Sequence, residues 1–553
     1  MSAFARRIME AKYAIKNSRN EPIETWSDIS GRVVGSVCAP SIAGRYSSEL
    51  SRVCREFITS RRFIPGGRYL YASGRPIHQV NNCFLYRAED TREGWSHLLR
   101  KVSSALMLGG GVGIDYSALR EAGASVKRTG GQASGPISLM EIINEVGRHV
   151  MQGGSRRSAI WAGLVWDHPD IFSFINIKNW DKGVKLLKEK NFSFPATLDM
   201  TNISVILDKR FFKAFDNEKD SKHSLAQKVY YDTCAQMFET SEPGFSINFE
   251  DSLESLRNAC TEITSRDDSD VCNLGSINLA RIYSDGEFEG VVRAAIRFLI
   301  CGSLYSDIPH IEVERTRTNN RRIGLGLMGI HEWFLQRGLK YGEPSGDFLR
   351  LLELYRTVSM EEAKIFSGYL GITTPIKTRA IAPTGTIGII GETTTGIEPV
   401  FCSAFKRRYL KGKNSWSYEY VVDPTVSNLV RNGVLQPENI EDALSLSETL
   451  GGFHRRLRFQ SLVQFFVDHS ISSTINLPCW NSSINSNSNV KERADILYKY
   501  LPGLRGITCY ADGSRAGQPL TRVDFKEALS KVGRVHEESV DVCDITGAGT
   551  CGI

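Results

Sequence analysis

The chain has 553 residues, 41% hydrophobic and 24% charged, which is too long for one small domain and ordinary for a globular protein with several units. Its 68 basic and 62 acidic residues leave a formal charge of +6 without a long basic run, so nucleic-acid binding gains no support and anionic small ligands gain only slight support. The charged N-terminus lacks the apolar core of a signal peptide, and no stretch approaches about 18 uninterrupted apolar residues, so the cytoplasm is the expected location and no membrane partner is expected.

The N-terminal third combines a helical region with a run of glycine-rich motifs. Residues 1–60 place apolar side chains at helical spacing, which predicts helices. Glycines between apolar runs then predict tight turns and close approach of the backbone to a ligand. GGGVGID (109–115) lacks the G-x-G-x-x-G spacing and follows no clear strand, so a dinucleotide-binding fold is rejected. The glycine-rich motifs are IPGGRYLYASG (64–74), LMLGGGVGIDYSALR (106–120), RTGGQASGPISLM (128–140) and MQGGSRRSAIWAGL (151–164).

The remainder of the chain alternates between predicted strands and predicted helices. β-Branched runs bounded by turn residues predict strands at 200–207, 378–390 and 472–478. Apolar residues at helical spacing predict helices at 348–366 and 460–470. This alternation, without an internal repeat, predicts an α/β architecture.

Twelve cysteines in a chain of this kind do not form a disulfide framework, and most are expected to be small buried hydrophobic residues. C-x-x-C does not occur, so no metal site built from side chains is predicted. Cys83 in NNCFLY and Cys272 in VCNLGSINL each fit a core cysteine when taken singly. If the fold joined them, the pair would cycle between dithiol and disulfide.

Asn258, Cys260 and Glu262 stand at alternate positions. In an extended segment their three side chains point the same way, which presents a thiol between an amide and a possible general base. A buried cysteine beside two solvated polar residues fits the same pattern, so the spacing alone does not decide between them.

Two further segments suit anions. APTGTIG (382–388) offers backbone N–H groups in a turn that leaves a strand, which fits a phosphate cradle and fits an ordinary turn equally well. Arg156 and Arg157 follow two glycines, as in a loop that closes on an anion, although a solvated pair is the alternative.

Taken together, a series of motifs between about residues 60 and 515 resembles the catalytic chain of ribonucleotide reductases, in the same order. The closest resemblance is to the adenosylcobalamin-dependent class II enzymes. Class I large subunits carry two adjacent tyrosines where this chain has Cys509 and Tyr510, and the glycyl-radical class would need a C-terminal glycine motif and zinc cysteines. The motifs are NNCFLY, GGGVGIDYSALR, GGQASGPISLM, GGSRRSAIWAGL, HPDIFSFINIK, TNISV, NACTEI, CNLGSINL, NRRIGLGLMGI, APTGTIGII, GIEPVF, DHSISSTINLP and GITCYADGSR.

The resemblance implies a ten-stranded α/β barrel, made of two antiparallel halves of five parallel strands each, around a central finger loop. The barrel is expected over 61–515, after a helical region at 1–60 that is too short for an ATP cone. A helical segment at 516–537 and a mobile tail with redox cysteines at 538–553 are expected to follow.

The resemblance also implies the catalytic roles. Cys260 becomes a thiyl radical through adenosylcobalamin and removes the 3′-hydrogen of a ribonucleotide. Glu262 acts as general base on the 3′-hydroxyl, and Asn258 holds the ribose hydroxyls. Cys83 and Cys272 supply two electrons by closing a disulfide.

Binding roles follow in the same way. Asn202 and Ser204 line the barrel, and the substrate phosphates bind at Pro383, Thr384, Gly385 and Thr386. A dNTP or ATP effector binds between specificity loops at 121–132 and 152–159. The effector residues implied are Asp90, Arg120, Gln152, Gly153, Arg156 and Arg157.

The implied partners are a thioredoxin- or glutaredoxin-like reductant, which acts through Cys543 and Cys551 of the tail, and a second copy of the chain, with a monomer as the alternative. A diphosphate substrate is favoured over a triphosphate. Two other readings stay open: a class I large subunit that needs a separate radical-generating subunit, and a non-enzymatic nucleotide-binding relative.

Overall fold

The computed structural model describes residues 1–126, 130–152, 156–191, 194–411, 415–436, 440–514 and 520–537. Within these ranges, none of the helices combines the length and the apolar character that crossing a bilayer requires.

Twenty-one α-helices cover the described part of the chain, with a few short 3₁₀ turns between them. In chain order they are α1 (Ala3–Lys12), α2 (Trp26–Val37), α3 (Pro40–Ala43), α4 (Ser47–Thr59), α5 (Gly67–Ala72), α6 (Arg92–Met107), α7 (Gly135–His149), α8 (Ile171–Asn176), α9 (Lys182–Lys190), α10 (Lys209–Asp216), α11 (His223–Thr240), α12 (Asp285–Tyr305), α13 (Ile311–Asn320), α14 (Ile330–Leu335), α15 (Gly346–Leu370), α16 (Gly385–Gly391), α17 (Pro424–Arg431), α18 (Ala443–Ser447), α19 (Leu450–Gln464), α20 (Asn487–Tyr498) and α21 (Phe525–Lys531).

Twenty strands are described, and half of them belong to one ten-stranded sheet. In chain order they are β1 (Phe63–Pro65), β2 (Cys83–Arg87), β3 (Gly111–Asp115), β4 (Ser125–Val126), β5 (Gly131–Gln132), β6 (Met151–Gln152), β7 (Arg156–Arg157), β8 (Ile160–Val165), β9 (Thr201–Asp208), β10 (Gly244–Asn248), β11 (Leu256–Arg257), β12 (Thr264–Ser265), β13 (Asp270–Asn278), β14 (Ile323–Met328), β15 (Ala404–Lys411), β16 (Ser415–Val422), β17 (Thr474–Leu477), β18 (Gly506–Ala511), β19 (Leu520–Arg522) and β20 (Val535–Glu537).

The N-terminal region is helical, as predicted. Thr25 caps α2 in a capping box with Asp28, which satisfies backbone donors at the start of that helix. In α4, Leu50, Cys54 and Ile58 recur every four residues and are buried against the rest of the protein. These helices therefore cover one outer face of the large sheet.

The first half of the sheet consists of five parallel strands. β2, β3, β8, β9 and β10 are neighbours in that order, and every pair among them is parallel. At its two edges this half meets the second half in antiparallel pairs, β2 with β13 and β10 with β18.

The second half runs in the opposite direction and contains β13, β14, β17 and β18, with parallel pairs between β13 and β14 and between β17 and β18. Residues 377–381 connect β14 to the segment before β17. Leu325 forms a parallel bridge with Arg379, and Ile381 forms one with Ile471. Backbone hydrogen bonds thus lead from strand to strand around a ring of ten positions, in agreement with the predicted two antiparallel halves of five.

Three apolar clusters distinguish the interior of the ring from its outer faces. Two large clusters pack the outer faces of the strands against helices. A third, small cluster lies inside the ring and contains Cys83, Leu85, Leu256, Ile263, Cys272, Leu274 and Ala380. Both cysteines that the sequence singled out therefore lie in the interior.

Most predicted elements are confirmed, and three need correction. Strands β9 and β17 and helix α15 lie where the sequence predicted them; α15 ends at Leu370 and is capped by Gly371, which takes the left-handed conformation. The predicted strand at 378–390 is wrong in its second half, because residues from Gly385 onward form α16 with Ile387 and Ile390 buried on one face. The predicted helix at 460–470 ends at Gln464.

The segment at 516–537 was predicted to be helical, and this is wrong. Its described part contains β19 and β20 as well as α21. Both strands pair with the β15–β16 hairpin in a four-stranded antiparallel sheet, so this segment extends a sheet begun about a hundred residues earlier in the chain.

Candidate active site

The finger loop is the connection between β10 and β13, residues 249–269, and it contains the hairpin β11–β12. The hairpin has two ladder pairs, Leu256 with Ser265 and Arg257 with Thr264. At its tip the Thr261 N–H donates to the Asn258 carbonyl at 3.0 Å, and Thr261 has a positive φ of 67°. Residues 258–262 are therefore not the extended segment in which the three side chains would point the same way, because the chain turns there.

This turn separates the three polar side chains by exposure. Cys260 is exposed at the tip, whereas Asn258 and Glu262 are buried. The amide and the carboxyl face inward on either side of the turn, and Asn258 Oδ1 accepts a hydrogen bond from the Ile263 N–H at 2.9 Å. The turn thus presents the thiol outward and keeps the amide and the carboxyl buried.

Cys83 lies directly beneath the tip. Asn258 Nδ2 donates to Cys83 Sγ at 2.9 Å, and Cys83 Sγ is 3.9 Å from Glu262 Oε1. Strand β2 therefore brings the Cys83 thiol close to Asn258 and Glu262 of the finger loop, a proximity that the sequence alone could not show.

Cys272 faces Cys83 across the antiparallel pair of β2 and β13, as direct register partners. Directly opposed residues in such a pair have Cα atoms about 4.5–5.5 Å apart, which lies inside the range that a disulfide requires. Both residues are reduced thiols in the structure.

The pKa values of both buried thiols are raised. For Cys83 burial is the main cause, followed by the nearby Glu262 carboxyl; for Cys272 burial is again the main cause, followed by Asp270. Thiolate is the nucleophile in exchange reactions, so both thiols are held in the less reactive, protonated form.

Glu262 has the properties of a general base held near neutrality. Burial raises its pKa to about 7, against hydrogen bonds from Asn258 and Cys83 that lower it. Its Oε2 is buried without a hydrogen-bond partner among the described residues. The Ser470 N–H donates to the Glu262 carbonyl oxygen at 2.8 Å, so the backbone here is tied to the ring.

Glycines let the finger loop approach the ring closely. A Cβ on Gly113 in β3 would stand 1.8 Å from the Arg257 carbonyl oxygen, and one on Gly111 would stand 3.1 Å from Ala259 Cβ. The first of these contacts is impossible for any other residue without movement of the backbone. This is the structural reason for one part of the predicted glycine-rich motif.

The predicted substrate residues line the ring near the tip. Asn202 is exposed on β9, and its Nδ2 is 3.4 Å from the Ala259 carbonyl oxygen. Ser204 is buried on the same strand and accepts a hydrogen bond from Trp161 Nε1 at 2.9 Å.

The predicted phosphate cradle is the turn between the ring segment 377–381 and helix α16. Pro383 and Gly385 are exposed, Thr386 is half-buried, and Thr384 is buried with a positive φ of 49°. Thr384 Oγ1 accepts a hydrogen bond from the Gly396 N–H at 2.8 Å, which fixes the turn before α16 begins.

Of the predicted effector residues, two form an ion pair. Arg120 Nε donates to Asp90 Oδ2 at 2.7 Å, and both side chains are about one-third or more exposed. The backbones of Gln152, Arg156 and Arg157 belong to the small hairpin β6–β7.

Several predicted residues fall outside the described ranges. They are residues 153–155 of the second specificity loop, which include Gly153, residues 127–129 of the first loop, and both tail cysteines, Cys543 and Cys551.

Sequence reasoning missed a group of charged residues that holds the base of the hairpin. Arg257 is fully buried, and its guanidinium donates to the Asn248 side chain at 2.6 Å. Glu254 accepts hydrogen bonds from Lys377 and from Arg505. No spacing signal could have found this group, because its members lie up to about 250 positions apart in the chain.

The sequence matches a known family over most of its length. Residues 81–250, 247–351 and 376–510 match the family described as "Ribonucleotide reductase, barrel domain". A vitamin B12-dependent ribonucleoside-diphosphate reductase of Mycobacterium tuberculosis is 27% identical over 599 aligned residues, which cover 96% of this chain and 82% of that protein. A protein of the same name from Thermoplasma acidophilum is 27% identical, over 87% of this chain and 67% of that protein. The ribonucleoside-diphosphate reductase large subunit of Trypanosoma brucei brucei is 24% identical, over 57% of this chain and 43% of that protein.

Proposed function

The chain belongs to the ribonucleotide reductase family, and from this premise we propose that it is an adenosylcobalamin-dependent enzyme that reduces ribonucleotides to 2′-deoxyribonucleotides. The observation that carries the proposal is the arrangement at the finger tip. One exposed thiol, Cys260, lies above a dry pair of thiols, Cys83 and Cys272, with Asn258 and Glu262 between them.

The residues present fit the proposed cofactor at the point where it must act. Adenosylcobalamin supplies, when bound, the radical chemistry that removes a hydrogen atom from a thiol. Of the three thiols in the site, Cys260 is exposed, and the other two are buried. Cys260 is therefore the residue that would face the cofactor, and the buried pair is shielded from it.

The side chains of this chain divide the remaining work. As a thiyl radical, Cys260 takes the 3′-hydrogen atom of the ribose and returns it once the 2′-position has been reduced. Glu262, buried and with one carboxyl oxygen unpartnered among the described residues, accepts the proton of the 3′-hydroxyl, and Asn258 orients the hydroxyls through its amide. The 2′-hydroxyl leaves as water. Cys83 and Cys272 give two electrons and two protons and become a disulfide.

A ribonucleoside diphosphate is the proposed substrate. The turn at Pro383–Thr386 offers the backbone N–H groups of its last three residues to the phosphates, and Asn202 offers an amide beside the finger tip. The relatives from Mycobacterium tuberculosis and Thermoplasma are named as diphosphate reductases, whereas one from Mycobacterium phage D29, also 27% identical, is named as a putative triphosphate reductase, so the assay has to compare both substrates.

The reading as a class I large subunit is less well supported. The residue before Tyr510 is Cys509, which is buried among the helices outside the ring and has its pKa raised to about 12 by burial. Class I large subunits carry two adjacent tyrosines at this position, and Cys509 stands where the first of them would be. The Trypanosoma large subunit also aligns over a smaller share of this chain than the B12-dependent relatives do.

Regulation and turnover complete the proposal. A dNTP or ATP effector binds near Asp90 and Arg120, whose ion pair shows that the two residues share one surface. A thioredoxin-like protein reduces the disulfide through Cys543 and Cys551, and a homodimer shares the effector site. Multiple turnover with thioredoxin should fall in Cys543→Ser and in Cys551→Ser, while a single turnover of the pre-reduced chain should persist.

The decisive experiment is an anaerobic assay of the purified chain with CDP or CTP, a dithiol and an effector, with and without adenosylcobalamin. Deoxycytidine nucleotide is measured, and Cys260→Ser serves as the matched inactive control. Product that requires cobalamin and Cys260 supports the proposal, and a higher rate with CDP supports the diphosphate. No product under any condition overturns it and points to a missing radical-generating subunit or to a binding role.

A further inference from the structure

The finger hairpin has few contacts of its own. Two ladder pairs form it, and a two-stranded hairpin of this size is marginally stable in isolation. Its geometry nevertheless decides where Cys260 stands relative to bound substrate. A displacement of about 1 Å in an active site costs about 100-fold in rate, so the hairpin has to be held by the ring around it.

The side chain of Lys377 contacts both arms of the hairpin. Its ammonium group donates to the Glu254 carboxylate before β11 and to Thr264 Oγ1 in β12, the latter at 2.9 Å. Its backbone belongs to the ring, since the Ile323 N–H of β14 donates to the Lys377 carbonyl oxygen at 3.2 Å. One side chain therefore ties the two strands of the finger hairpin to the second half of the ring.

Glu254 continues this connection to the other side. Its second carboxyl oxygen accepts from Arg505 Nη1 at 2.8 Å, next to the start of β18, and its backbone carbonyl accepts from Arg257 Nη1 at 2.7 Å. The carboxylate is 8% exposed and Lys377 is 18% exposed, so solvent screens this pair only in part.

We propose that Lys377 is a positioning residue for the reductase reaction. It holds the finger hairpin, and with it Cys260 and Glu262, in the position relative to the ring that catalysis requires. This inference rests on the proposed function for its consequence in catalysis. The structural claim, that Lys377 keeps the hairpin packed over Cys83, depends only on the contacts described above and not on the proposed activity.

The charges around Lys377 make this connection sensitive to pH. The pKa of Lys377 is lowered to about 8, chiefly by burial and also by Arg505 and Arg322, against the effect of Glu254, which raises it. His469, which lies against Thr264, is kept neutral because burial, Lys377 and the same arginines lower its pKa. Above about pH 8 the ammonium loses its proton and the ion pair with Glu254 weakens. The pKa of Lys377 is lower in the folded than in the unfolded state, so this deprotonation does not itself favour unfolding.

The first test measures hairpin opening without any turnover. Wild-type chain, Lys377→Met and Lys377→Arg are alkylated with iodoacetamide at pH 7, and the rates at three cysteines are compared by peptide mapping. Cys83 is covered by the finger tip, Cys234 is buried against the outer helices, and Cys479 is exposed. We expect Lys377→Met to react faster at Cys83, relative to Cys479, with no change at Cys234. Lys377→Arg should restore the wild-type ratio because it keeps the charge.

The second test uses the pH profile of kcat. Wild-type kcat should fall above about pH 8, and Lys377→Arg should move this limb upward, because a guanidinium stays protonated. Lys377→Met should lower kcat by about 10- to 100-fold with little change in KM. Lys491→Met, which removes an exposed lysine paired with Asp495, is the matched control.

The two tests separate the inference from the proposed function. A wild-type Cys83 ratio in folded Lys377→Met overturns the inference, and so does an alkaline limb that stays in place in Lys377→Arg. If Lys377→Met does not fold, Glu254→Gln is used in its place with the same expectation at Cys83. A changed Cys83 ratio in a chain without any reductase activity supports the holding of the hairpin and overturns the proposed function alone.

Discussion

Asn258 and Cys83 are joined by a hydrogen bond of 2.9 Å between the amide nitrogen and the sulfur, although they lie 175 positions apart in the chain. Asn258 also donates to Glu262 and lowers the pKa of that carboxyl against the effect of burial. One amide thus contacts both the buried thiol and the proposed general base.

Asn258→Ala should move the acid limb of the activity profile upward. The general base works as a carboxylate, so kcat/KM of the wild type rises with pH through about 7, the pKa of Glu262. Loss of the Asn258 hydrogen bond raises that pKa further. The pH dependence of kcat/KM in the two proteins measures the shift. A limb in the same place would mean that Asn258 does not control Glu262.

Glu262→Gln should be nearly inactive and yet more stable above pH 7. Loss of a general base costs about 10²- to 10⁴-fold in rate. The pKa of Glu262 is higher in the folded state, so its contribution to stability is present below about pH 4.5 and is lost as pH rises through about 7. At pH 8 the glutamine should therefore gain up to about 3 kcal/mol in the free energy of unfolding. Urea unfolding at pH 8 and at pH 5 measures it, and equal differences at both pH values would contradict it.

Gly113→Ala should displace the finger loop. The new Cβ would stand 1.8 Å from the Arg257 carbonyl oxygen, and overpacking of this kind costs about 1–3 kcal/mol. We expect a lower melting temperature together with a loss of turnover. Gly290→Ala is the matched control, because a Cβ there meets nothing within 4 Å and alanine is the better helix former in α12. Equal effects of the two substitutions would rule out the close approach as the cause.

A pre-reduced chain given substrate and adenosylcobalamin, without an external reductant, should oxidise one particular pair of thiols. Cys83 and Cys272 are direct partners across β2 and β13, so a disulfide between them needs little movement of the backbone. Non-reducing peptide mapping after one turnover should find this link and no new link at Cys234 or Cys301. Product formation without the Cys83–Cys272 link would show that another reductant acts.

The sequence predicted the alternation of strands and helices well, and it failed where tertiary contacts overrode local preference. The β-branched run at 386–390 favours a strand, yet Ile387 and Ile390 form the buried face of α16. The turn at Thr261 was also invisible, because threonine has no preference for a positive φ.

The site was predictable in its residue types but not in its geometry. N-x-C-x-E marked the finger tip, and NNCFLY and VCNLGSINL marked two thiols. Their proximity depends on the antiparallel register of β2 with β13, which no local pattern encodes. The contacts of Lys377 with Glu254 and Thr264 likewise depend on how the strands assemble, and no stretch of sequence encodes them.

The antiparallel junction of β2 with β13 also has a consequence for the order in which the protein folds. Cys83 and Glu262 are 179 positions apart, so they meet only after a long loop has closed, and such non-local pairings form slowly. During synthesis the first half of the ring can assemble while β13 is still absent, and its Cys83 then has no thiol opposite it. The reactive centre is thus completed late. The moment at which Cys83 becomes protected from alkylation would report when β13 pairs with β2 and the two halves join.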